Sequence, residues 1–135
     1  MTPGVDPQLQ RLVDLLSIKF PWMNISYGFN PNAERGFAKQ WLYVEIAKDL
    51  VGLVVSRKGA KWSANAIVIE HGKPAFNKEE TAKVKGPVLV FMWAVTQLRR
   101  TYRDTADLYR QSQPAFAAGL DAVREQIELD LSAPL

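Results

Sequence analysis

Side chains able to donate an electron pair or carry a proton near neutral pH are scarce in this chain. It has no cysteine and one histidine, His71. A Cys–His pair is therefore excluded, and a Ser–His–acid triad would have to use His71. That residue sits in Glu70-His-Gly-Lys-Pro74, which has turn chemistry, and no serine occupies a G-x-S-x-G context. We read His71 as a solvent-exposed turn histidine. Without thiols a metal would rest on carboxylates, and the acids form neither an EF-hand loop nor an H-E-x-x-H arrangement. Glu79 and Glu80 are expected as charges at a helix N-terminus, and Glu125, Glu128 and Asp130 as a solvated helix face. Neither a G-x-G-x-x-G nor a G-x-x-x-x-G-K-S/T phosphate loop occurs. No catalytic residue, metal or cofactor is expected, and the chain reads as a protein that is not an enzyme.

Two groups of basic residues with aromatics among them are candidates for binding an anion, either nucleic acid or a phosphorylated small ligand. One is Arg57, Lys58, Lys61 and Trp62; the other is Arg99, Arg100, Tyr102 and Arg103. Their cations would neutralise phosphates while Trp62 or Tyr102 stacks on a base. The competing expectation is that Arg100 and Arg103 pair with Asp104 and Asp107, each four residues on. The four tryptophans are expected to fill the core. Trp41 and Tyr43 share a strand face opposite Leu42, Val44 and Ile46, so helices covering only the second face would leave the pair exposed as an interface. A stripe of Phe116, Leu120, Val123, Ile127 and Leu131 suits an antiparallel helical hairpin or a dimer seam.

The elements that must position these groups follow from periodicity and punctuation. Asp6-Pro7 opens a helix to Lys19, with Leu9, Leu12, Val13 and Leu16 on one stripe. Ile25, Tyr27 and Phe29 alternate as a strand, and Asn30–Gly36 is turn-rich and reads as a mobile contact loop. Trp41–Ala47, Leu50–Ser56 and Trp62–Glu70 read as further strands, joined at Lys48-Asp49 and at Arg57–Ala60, where Gly59 can take a positive φ. A single helix over 34–55 competes, but β-branched content and Gly52 disfavour it. Asn77-Lys-Glu-Glu80 resembles a capping box that Gly86-Pro87 interrupts. Helices are expected from Pro87 to Arg110 and onward from Pro114. The fold class is α+β: an N-terminal helix, an antiparallel sheet of about four short strands and a C-terminal helical pair, in one domain over 1–135.

Length and charge agree with that class. The chain has 135 residues, 47% of them apolar, and a net charge of +3. Between Arg57 and Arg103 ten basic residues face three acids, whereas Ala115–Leu131 holds four acids against one arginine. Such opposed charges favour head-to-tail association or a basic face for an anion. The longest apolar run, Val88–Val95, would span about 12 Å as a helix, too short for a bilayer. No secretory signal is seen in Met1–Pro7, and the lack of cysteine fits the cytoplasm. The expectation is a cytoplasmic, non-catalytic protein working through protein–protein contact, as a homo-oligomer or part of an assembly, with no membrane partner. Binding of nucleic acid or a phosphorylated ligand is the alternative.

Overall fold

The computed structural model describes residues 5–29, 40–70 and 73–133. The expected loop Asn30–Gly36 and His71 lie outside them. Helix α1 runs Pro7–Lys19. Asp6 starts it by accepting a bond from the Gln8 amide at 2.9 Å, and Pro7 fills the first turn, where no N–H is needed. Leu9, Leu12 and Leu16 are buried along one stripe.

Five strands follow: β1 (Asn24–Phe29), β2 (Gln40–Ala47), β3 (Val51–Lys58), β4 (Lys61–Glu70) and β5 (Lys73–Lys83). They form one sheet in chain order, each pair antiparallel. The region 40–58 is thus two strands, not helix. Asp49, at φ 62°, turns the chain between β2 and β3, and Gly59, at φ 63°, opens the two-residue Gly59-Ala60 turn between β3 and β4. That turn is tighter than the four residues expected, because Lys58 and Lys61 already pair.

The fifth strand corrects the sequence reading. Asn77–Glu80 is not a helix cap; it lies within β5, with Asn77 opposite Ile67, Glu79 opposite Asn65 and Glu80 opposite Ala64. A cap satisfies one or two backbone donors, whereas β5 sets ten of its eleven residues in register with β4. Only at Gly86, φ 90°, does the chain break away into helix α2 (Pro87–Tyr109), followed by α3 (Pro114–Ser132).

Leu42, Val44, Leu53, Val55, Trp62, Ala64 and Ala66 form the inner side of the sheet and are buried with Leu12, Leu16, Val90, Ala94, Leu98 and Tyr102 from α1 and α2. Helix α1 lies against β2, α2 against β3 and β4, and α3 packs on α2 as a hairpin. The stripe on α3 is consumed in that hairpin: Leu120 and Ile127 are buried, and Phe116 and Val123 pack partly buried on the core. Of its two expected uses the stripe serves the hairpin, so its residues are not a free dimer seam. No described helix is long and apolar enough to cross a membrane.

Candidate functional site

The side chains on the outer side of the sheet line up in rows across the strands. At one end Lys58 stands opposite Lys61, and Lys61 opposite Lys83, so three ammonium groups lie side by side on adjacent strands. Lys85 follows just beyond β5, and all four are exposed. None of their ammonium groups makes an ion pair or hydrogen bond among the described residues. Directly opposed like charges on a sheet are destabilising, so this end of the face is short of negative charge.

The next row is Ser56, Ser63 and Thr81, three hydroxyls in register. Beyond it come Ser26, Tyr43, Val54, Asn65 and Glu79. The Asn65 Oδ1 atom is buried there without a hydrogen-bond partner among the described residues. A free acceptor of this kind is costly unless something donates to it.

Two glycines shape the aromatics on this face. Trp41 lays its indole across its register partner Gly28, where a Cβ would come within 2.1 Å of the ring. Tyr43 likewise lies across Gly52, where a Cβ would meet the ring at 2.3 Å. Both rings are therefore laid down on the backbone, partly exposed, rather than standing off it. Burial, then the charges of Glu45 and Asp49, hold the Tyr43 phenol above its ordinary pKa, so it stays neutral at physiological pH.

The expected anion-binding residues are divided by this arrangement. Lys58 and Lys61 lie on the open face. Arg57 points to the other side, with Nε 2.8 Å from Asp6 Oδ2 in an ion pair lacking hydrogen-bond alignment. Trp62 is 2% exposed beside Trp93, and Tyr102 is 3% exposed. Neither offers a face to a base. Burial pushes the Tyr102 pKa up to about 12. Arg99 bonds to Glu128, Arg100 lies 3.8 Å from Glu80 and Arg103 3.1 Å from Asp104. These three arginines belong to α2, with the sheet between them and the lysine row. The two basic groups therefore do not converge.

Sequence reading passed over Lys83, Lys85, Ser56, Ser63 and Thr81, and the roles of Gly28 and Gly52. Recognising β5 as a strand is the signal that would have found Lys83, since counting back from its pairing with β4 puts it beside Lys61. Among the described residues no three potential metal-ligating side chains gather. Comparison with protein-family models, curated proteins and solved structures finds no match to this chain.

Proposed function

We propose that the protein is a binding protein whose open sheet face takes single-stranded nucleic acid. The observation that carries this reading is the row Lys58, Lys61 and Lys83, in register and without counter-charge among the described residues. A phosphate backbone laid along that row supplies the missing charge. The hydroxyls of Ser56, Ser63 and Thr81 then face sugar or phosphate oxygens, and Trp41 and Tyr43 provide stacking surfaces one strand repeat apart. Asn65 Oδ1 accepts from an exocyclic amine of a base. An open sheet with ring faces on it suits unpaired bases better than a duplex, whose bases are already stacked.

Fluorescence anisotropy of labelled twelve-residue homopolymers of DNA and RNA tests the proposal. With three or four phosphate contacts, log K should fall against log salt with a slope of about −2 to −3, a loss of roughly 20- to 50-fold between 50 and 200 mM salt. Absence of binding at 50 mM salt, or binding that ignores salt, overturns it. A second reading, assembly through protein–protein contact, is favoured by a different observation: the uncharged outer edge of β1.

A further inference from the structure

The two edges of the sheet are built differently. Strand β5 carries Lys73, Lys78, Glu79, Glu80 and Lys83 together with Pro74, and its pairing with β4 is broken by a register shift at Val68/Ile69. Charges, proline and bulges are the devices that stop a sheet edge from pairing with another chain. Strand β1, Asn-Ile-Ser-Tyr-Gly-Phe, has none of them. It pairs with β2 without irregularity from Asn24–Glu45 to Phe29–Gln40. Its other edge has no strand partner among the described residues.

The inner side of β1 is also unfinished. Ile25 and Tyr27 pack on the main core but remain only partly buried, and Phe29 is 50% exposed. An apolar row that thins out at an unguarded edge is completed by another strand bearing the same row. From these observations we infer that β1 pairs antiparallel with β1 of a second copy of this chain, giving a ten-stranded sheet across a two-fold axis. This inference rests on the assembly reading and is independent of nucleic-acid binding.

The register follows from the side-chain alternation. Directly opposed residues in an antiparallel pair share a face. Keeping both cores on the same side therefore requires odd residues to face odd ones. With the axis at Tyr27, Ile25 stands opposite the partner's Phe29, Tyr27 opposite its own counterpart, and Ser26 opposite the partner's Gly28. The exposed Phe29 ring is thereby covered by an isoleucine. An axis at Ser26 would leave Phe29 beyond the paired segment, uncovered. The helices allow this approach. With strands about 4.8 Å apart, β2 and its symmetry mate lie about 14 Å apart. Helices such as α1, seated against β2, need about 10 Å between axes. Both open faces then lie on one side of the double sheet, each with its Trp41 beside the seam.

Because the chain has no cysteine of its own, the register can be read by cross-linking. Ile25→Cys and Phe29→Cys are made as separate chains and oxidised alone or mixed. Opposed residues have Cα atoms about 4.5–5.5 Å apart, within disulfide reach, whereas Ile25 and its own symmetry mate are about 13 Å apart along the strand. The expected result is a cross-linked dimer from the mixture and none from either chain alone. Light scattering of the unmodified protein should show a mass rising from monomer towards dimer with concentration. Phe29→Lys, a change at an exposed position, should hold it as a folded monomer by circular dichroism. A monomer at every concentration overturns both the edge pairing and the assembly reading. A dimer that Phe29→Lys leaves intact, or cross-links from a single-cysteine chain alone, overturns the edge pairing while assembly stands.

Discussion

Replacing Lys61 by glutamine should make the protein more stable and a poorer ligand for nucleic acid, two effects of opposite sign from one charge. Lys61 is the middle of the row and faces Lys58 on one side and Lys83 on the other. Paired Cα atoms near 5 Å, with the long stems splayed outward, put neighbouring ammonium groups about 6 Å apart. In water two unit charges at that distance repel by about 0.7 kcal/mol, and screening at 0.15 M salt cuts this to about 0.3 kcal/mol per pair. Two pairs are relieved, so the gain is about 0.7 kcal/mol at 0.15 M salt and about 1.1 kcal/mol near 0.01 M. For a chain of 135 residues that is roughly 2–4 °C in melting temperature. Thermal melts of both proteins across a salt series read it directly, and the difference should shrink as salt rises. In the anisotropy titration the same substitution removes one phosphate contact and lowers the salt slope by about 0.7. A melting temperature that falls, or a gain unchanged at high salt, refutes the like-charge argument. An unaltered slope removes Lys61 from the binding face.

Other consequences are open to measurement. Gly28→Ala places a methyl group 2.1 Å from the Trp41 ring, so urea unfolding should show a loss of about 1–3 kcal/mol and the indole should become more solvent-exposed by fluorescence. Asp6→Ala removes both the α1 cap and the partner of Arg57, and a stability loss of about 1–2 kcal/mol is expected in the same assay. The Tyr102 phenol is raised to about 12 by burial, against about 10 in the unfolded chain. The folded state thus holds this proton more tightly; its contribution is complete below pH 10 and is lost as pH climbs towards 12, about 2–3 kcal/mol in all. Tyr102→Phe should flatten that part of the profile in denaturant midpoints measured between pH 9 and 12.

Much of the fold was legible because local rules and tertiary structure agree. Asp6-Pro7 and the leucine stripe mark α1 to the residue, and alternation in Trp41–Ala47 and Trp62–Val68 sorts their side chains to the faces they occupy. Strand β5 was hidden because edge protection loads it with charge, and Asn77–Glu80 imitates a cap by composition alone. The stripe Phe116–Leu131 has the same spacing whether it meets α2 or a second chain, so sequence left both uses open. The site was harder to read for a geometric reason. In a strand, neighbours in sequence point to opposite faces, so Lys61 and Trp62 are adjacent in the chain and separated by the sheet. The aromatics that do share the lysines' face, Trp41 and Tyr43, come from a different strand. Register, which no single segment carries, decides that company.

Asp6 ties the first turn of α1 to the end of β3 beside the Gly59-Ala60 turn, bonding the Gln8 amide through one oxygen and facing Arg57 through the other. Fraying at either place gives up a contact of the other, so the helix start and the hairpin tip should open as one cooperative unit. Their amide protons would then exchange with a common free energy, although some fifty residues of chain lie between them.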